Sequence, residues 1–186
     1  MFDPMPTIPD LLYPLSIMRM ARKLPKLNFV SLEPSEVPLP YQSLLVHDGD
    51  MTSRLEAYHE SPIFVSPLRS SNDGKSYFRE VLLKTKEADR PVEYGAIEII
   101  LKSLPEEMRE QVLEAKLPLG GLLNQYRIPY SSAPRAFLRI YPDGPIVEAF
   151  GSVESDVLFG RSNEITGFNG DTIARIVEIL PPLQLN

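Results

Sequence analysis

Apolar side chains at Leu11, Leu12, Leu15, Ile17, Met18 and Met20 recur at rough helical spacing between Ile8 and Leu24. This predicts a helix from Asp10 to Lys23, with Pro14 in the first turn, where a missing N–H is tolerated. From Pro25 to Pro40 the chain is proline-rich without periodicity, the signature of an ordered surface connector. Asp50 is an N-cap candidate for a helix from Met51 to about His59. The period then changes. Alternating and β-branched runs at Ile63–Ser70, Ser76–Lys84 and Val92–Leu101, separated by Asn72-Asp73-Gly74 and the polar Lys86–Arg90 segment, predict an antiparallel meander. Helical signals return at Pro105–Lys116, capped by Ser103, and at Gly121–Gln125. Strand character follows at Pro134–Tyr141, Ile146–Val153, Val157–Gly160, Glu164–Phe168 and Asp171–Leu180, where Pro181-Pro182 stops the last strand. Strands grouped around helices, without regular βαβ alternation, predict an α+β fold with a largely antiparallel sheet.

The length, 186 residues, suits one domain, and a hydrophobic fraction of 43% supports a real core. Charge narrows the partners. With 19 Lys+Arg against 25 Asp+Glu, a net charge of -6 and no basic run longer than the interrupted Arg19–Lys26, nucleic acid is not an expected partner. The absence of cysteine excludes disulfides, thiolate metal sites and cysteine nucleophiles. Met1–Leu15 lacks the basic start and apolar run of a secretory signal, and no stretch approaches the roughly 18 apolar residues of a membrane span, so a cytoplasmic location is expected. His47 and His59 fit no metal-ligand spacing, and neither a nucleophile elbow nor a phosphate-binding glycine loop occurs. Chemistry falls to carboxylates, arginines and backbone groups.

Parity locates the charges that matter. Tyr77, Arg79, Val81 and Leu83 share one face of their strand, so Arg79 sits amid apolar neighbours. A buried guanidinium is costly unless paired, which leaves an internal ion pair with Glu178 or an anionic ligand gripped by its planar fork. In the final strand, Thr172, Ala174, Ile176, Glu178 and Leu180 alternate with Ile173, Arg175, Val177 and Ile179, and Glu178 is a candidate general acid. Glu98 is a third candidate of the same kind, or else a satisfied strand carboxylate. Lys116-Leu-Pro-Leu-Gly-Gly121 either exposes backbone N–H groups to a ligand or merely restarts a helix, and Arg161 after Gly160 reads as a ligand partner or a turn arginine. Arg135 and Arg139 flank a further apolar strand and read as ordinary surface charges.

Several segments, in matching order, resemble the chorismate lyases: Asp50-Met51-Thr52, Tyr77-Phe78-Arg79-Glu80-Val81-Leu82-Leu83, Leu117-Pro118-Leu119-Gly120, Phe159-Gly160-Arg161 and Val177-Glu178-Ile179-Leu180-Pro181. They cover roughly residues 40 to 182. The resemblance implies a single domain over residues 1–186, with a twisted antiparallel sheet of about six strands and helical flaps over an enclosed pocket. It implies a lyase that eliminates pyruvate from chorismate to give a hydroxybenzoate, with Arg79 and Glu178 as catalytic residues and no metal or cofactor. Met51, Leu119, Gly120 and Arg161 would bind substrate, with Arg79 on the ring carboxylate, Arg161 on the second carboxylate and Glu178 at the ring hydroxyl. A monomer or small homo-oligomer is expected. The alternative of another class is a non-catalytic sensor of an aromatic carboxylate. Departures from the family pattern occur in the Pro-rich first forty residues, at Gly121, where an arginine is common, and at Glu98 in place of an apolar residue.

Overall fold

The computed structural model describes residues 9–183, so the first eight residues of the proline-rich N-terminal segment, including Ile8, lie outside the described residues. Within them, seven strands form one antiparallel sheet in the order β1-β5-β6-β7-β4-β3-β2, one strand more than expected. The strands are β1 (Asn28–Leu32), β2 (Ile63–Asn72), β3 (Ser76–Thr85), β4 (Pro91–Ile100), β5 (Tyr130–Tyr141), β6 (Leu158–Gly167) and β7 (Thr172–Leu180). The helices are α1 (Leu15–Ala21), α2 (Tyr41–Leu45), α3 (Met51–His59), α4 (Glu106–Glu114), α5 (Leu119–Gln125) and α6 (Gly144–Phe150).

The meander β2-β3-β4 forms where alternation predicts it. Asn72 and Asp73 fold the β2–β3 turn by accepting the N–H groups of Gly74 and Lys75 at 2.8 and 2.9 Å, with Gly74 at φ +87°. Asp50 caps α3 as expected, accepting Ser53 N–H at 2.7 Å. Other expectations are corrected. Pro14 is the N-cap of α1 rather than part of its first turn, and the helix is the shorter Leu15–Ala21. The connector from Pro25 to Pro40 contains edge strand β1, five mostly exposed residues paired with Phe137–Tyr141, too short to show alternation. Ser103 does not cap α4; its hydroxyl donates to Thr172 O at 3.1 Å, and Pro105 holds the N-cap position.

Ile146–Val153 is not a strand. Asp143 accepts the N–H of Ile146, Gly144-Pro145 opens the first turn of α6, and Gly151 at φ +88° ends it. These start and stop residues outweigh the β-branched composition. The runs at Val157–Gly160 and Glu164–Phe168 join into one strand, β6, across the polar residues Arg161, Ser162 and Asn163, all of which are buried.

Helices cover both faces of the sheet. Against one face, α1 and α6 pack on Leu82, Tyr94, Leu138, Val177 and Ile179, tied together by an Arg19–Asp143 ion pair. On this face Glu80 is fully buried and satisfied by the Tyr94 hydroxyl and by Arg69 and Arg22. The opposite face carries two apolar clusters. One joins α2 and α3 to Val65, Val81, Leu83, Phe159 and Leu180; the other joins α4 and α5 to Tyr77, Ile97, Ile165 and Ile176. The buried charges of this face, Arg79, Glu93, Arg161 and Glu178, line a cavity between them.

Strands β6 and β7 approach closely at Gly160, where a Cβ would stand 2.3 Å from the backbone oxygen of Glu178. Gly160→Ala is therefore expected to cost about 2–4 kcal/mol, since strand backbone cannot yield as a flexible side chain does. Gly121→Ala, a helical site with open space around it, is expected to stabilise by about 0.5–1 kcal/mol. Thermal unfolding of the two variants should show shifts of opposite sign.

Candidate functional site

Sheet register writes the site as two rows across four strands. Asn163, Ile176, Ile97 and Arg79 are successive ladder partners on β6, β7, β4 and β3. The next row is Arg161, Glu178, Gly95 and Val81. Side chains of both rows point to the face beneath α3 and α5, because residues two apart on a strand share a face. They line a cavity closed from above by Asp50, Met51 and Thr52 of the α3 start and Pro118, Leu119 and Gly120 of the α5 start. All six expected site residues, Arg79, Glu178, Met51, Leu119, Gly120 and Arg161, thus meet around one cavity. Glu98 does not join them. It points to the reverse face, where it accepts from Ser76 and pairs with Arg175.

Arg79 is 2% exposed and has no carboxylate partner among the described residues. Its terminal nitrogens donate to Val112 O at 3.3 Å and Leu117 O at 3.5 Å, in the last turn of α4 and the link to α5. The carbonyl end of a helix partly offsets the buried positive charge. Burial lowers the guanidinium pKa, while Tyr77 beside it pulls the other way. The Arg79–Glu178 pair weighed from sequence is absent. Glu178, 4% exposed, instead accepts from Arg161 Nε in a buried ion pair.

Arg161, 0% exposed, also reaches the chain between α2 and α3, donating to Leu45 O at 3.4 Å, His47 O at 3.0 Å and Gly49 O at 3.3 Å. Four of its five N–H donors are engaged by the protein, so Arg161 clamps the chain that leads into α3 while also lining the cavity. The clamped turn is self-braced: the His47 ring bonds Leu44 O through Nε2 and accepts the Gly49 N–H at Nδ1. Burial, then the Arg161 charge, lowers His47 to about 4, which keeps it neutral in that role.

Glu93 was missed by the sequence reading. It is 4% exposed and lines the cavity beside Glu178, with its carboxyl over Gly95, where a Cβ would stand 3.3 Å from Glu93 Oε1. Burial, then the Glu178 charge, pushes its carboxyl well above the ordinary range, and Arg161 pulls it back. The signal was available: counting by twos from Glu93 reaches Gly95 and Ile97, the parity that faces the cavity. That signal is weak because Glu93 lies near the strand start, away from the apolar centre.

Five buried side-chain polar atoms lack a partner among the described residues, and three of them, Arg79 Nε, Glu93 Oε2 and Asn163 Oδ1, belong to residues that line this cavity. Asn163 Nδ2 is satisfied by Ser132 Oγ at 2.8 Å. Unpaired buried groups are uncommon and costly, and their convergence marks a place prepared for polar atoms of another molecule. The cavity volume is about 60 Å³. A cavity of roughly 150 Å³ accommodates benzene, so a ring enters only if the lids move outward. The lids meet closely: a Cβ on Gly120 would stand 3.1 Å from Asp50 Cβ. Among the described residues, no group of three or more His, Asp or Glu side chains is placed to hold a metal ion, and no helix is long and apolar enough to cross a membrane.

No family model and no curated protein matches the sequence. Solved structures do. PhnF from Mycobacterium smegmatis is similar at 10% identity and TM-score 0.54, over 72% of this chain and 64% of that chain. The effector domain of the same PhnF is similar at 10% identity and TM-score 0.53, over 72% of this chain and 88% of the domain. Gene product SA0254 from Staphylococcus aureus is similar at 6% identity and TM-score 0.52, over 73% of this chain and 90% of that chain. The match thus spans less than two thirds of full-length PhnF. At these identities the likeness shows a shared fold: the antiparallel α+β architecture described above is also that of the PhnF effector domain.

This corrects the expectation of a chorismate pyruvate-lyase. The architecture is found in an effector domain, so it does not carry catalysis with it, and Glu178, expected to work on the ring oxygen, is engaged by Arg161.

The raised pKa of Glu93 has a definite sign. Its contribution to stability is present below the unfolded value, near 4.5, and is lost as pH rises through the folded value. Glu93→Gln is therefore expected to match wild type most closely below pH 4.5 and to gain on it as pH rises. Urea unfolding across pH 4–9 checks this, and a pH-independent difference would contradict the assignment.

Proposed function

We infer that this chain is a ligand-binding domain that takes a small aromatic carboxylate into the cavity, as a sensor does, without chemical turnover. The observation that carries the reading is Arg79: a guanidinium, buried, facing a cavity, with no acid partner among the described residues. Similarity to the PhnF effector domain supports a binding role.

Charge bookkeeping favours one carboxylate on the ligand. Among the buried groups of the lining, Arg79 and Arg161 contribute two positive charges and Glu178 one negative, and the raised pKa of Glu93 favours its neutral acid; Asp50, half-buried at the rim, has both oxygens engaged by Ser53. The buried excess is then one positive charge, which a monocarboxylate cancels. Chorismate, a dianion, would leave one negative charge over. A hydroxybenzoate suits the site better, with its carboxylate on Arg79, its ring against Val81, Ile97, Ile165 and Ile176, and its hydroxyl towards Glu178. Met51, Leu119 and Gly120 close over it from the lids.

Binding also has a route outward. A carboxylate on Arg79 competes with the carbonyls of Val112 and Leu117 for the same guanidinium, so occupancy alters how α4 and α5 are held. A sensor needs a ligand that distinguishes two arrangements of the fold in this way.

Calorimetric titration of the purified chain with 4-hydroxybenzoate tests the reading. Charge-assisted hydrogen bonds contribute about 1.5–3 kcal/mol, so Arg79→Met is expected to weaken binding roughly 10- to 150-fold. The same variant removes an unpaired buried charge and is expected to melt at or above the wild-type temperature. Unchanged affinity in Arg79→Met, or no binding by wild type, would overturn the assignment.

A further inference from the structure

The far end of the cavity holds two carboxyl groups where the resemblance assigns one. Glu178 lies in the same row as Gly95, and Glu93 is two residues along β4 from Gly95 on the same face. The two side chains are therefore diagonal neighbours, within reach of one another across a strand pair. Gly95, between them, keeps the space open: its absent Cβ would have crowded both Glu93 Oε1 at 3.3 Å and Val81 Cγ2 at 3.5 Å. The ladder partner of Arg79 is Ile97, so along the strand direction Arg79 stands two residues, roughly 7 Å, from the Glu178 row and four residues, roughly 14 Å, from Glu93. One end thus binds an anion and the other presents two adjacent oxygen-bearing groups.

Only one of those groups is committed. Glu178 gives Oε2 to Arg161, whereas Glu93 Oε2 is buried without any partner. Burial and the Glu178 charge favour the neutral acid at Glu93, which can donate one hydrogen bond and accept others. An ammonium group on the ligand would add positive charge to a cavity that already holds two buried guanidinium groups; a hydroxyl would not.

Resting on the binding role inferred above, we propose that Glu93 is a second recognition residue, which hydrogen-bonds a ring hydroxyl adjacent to the one facing Glu178. The ligand class is then a benzoate with two neighbouring hydroxyls opposite its carboxylate. Glu93 completes its own unmet hydrogen bond only when such a ring is bound, and a single-hydroxyl ring leaves it unpaired.

Calorimetry with benzoate, 4-hydroxybenzoate, 3,4-dihydroxybenzoate and 4-(aminomethyl)benzoate separates the possibilities. Wild type is expected to bind the dihydroxy acid about 5-fold more tightly than the monohydroxy acid, as one added net hydrogen bond implies. Glu93→Leu should erase that gap, read as the ratio of the two affinities within the variant, and Glu93→Gln should keep part of it. Glu93→Met repeats the apolar test with a more adaptable side chain should the leucine fold poorly. The proposal is overturned if wild type shows no gap, if the gap survives the apolar variants, or if the ammonium ligand binds most tightly. Benzoate and 4-hydroxybenzoate that bind in an Arg79-dependent way without the gap would remove Glu93 alone. Failure of every carboxylate to bind wild type would remove the binding role as well, and this inference with it.

Discussion

Two guanidinium groups are buried in one face of this sheet with a single ion pair to share between them. Arg161 takes Glu178, and Arg79 is left with backbone carbonyls and an open side. Burying charge without a partner opposes folding, so the surrounding structure must compensate. Here the apolar clusters on either side of the seam, one under α2 and α3 and the other under α4 and α5, supply that compensation. The site is therefore a local deficit held in place by its neighbours, and an anion is the natural complement to it.

The same two arginines couple the sheet to its lids. Arg161 holds the carbonyls of Leu45, His47 and Gly49 before α3, and Arg79 holds those of Val112 and Leu117 before α5. Each lid hangs on one charged side chain that also faces the cavity. With about 60 Å³ between them, the lids stand closer than a bound ring permits, so occupancy and lid position are linked by volume as well as by hydrogen bonds. That linkage is the physical content of a sensing role.

The lyase expectation fails at the pairing of Glu178. The motif order that suggested it did locate the cavity, and all six residues it singled out line one wall or another. What it could not supply was the pairing. A carboxylate already clamped by Arg161 is a different chemical object from a free acid at a ring oxygen. The fold, shared with an effector domain, is neutral between the two chemistries.

Local sequence determined the meander, the Asp50 cap, the α+β class and the parity that turned Arg79 and Glu178 inward, because alternation and capping act over a few residues. Counting by parity also held the information for Glu93, although the apolar centre of the strand drew attention to Glu98 instead. Edge strand β1 was invisible because five exposed residues show no period, and α6 was hidden because β-branched composition masked its Asp143-Gly144-Pro145 start. Strand β6 looked broken at Arg161-Ser162-Asn163, the very residues that the site needed polar. Only the tertiary structure decided which acid meets which arginine. Strands β3 and β4, like β6 and β7, are neighbours in sequence, but their register, which sets Arg161 opposite Glu178 and Arg79 opposite Ile97, depends on how the whole sheet packs. So does the pairing of β4 with the distant β7, which brings the two arginines to one cavity.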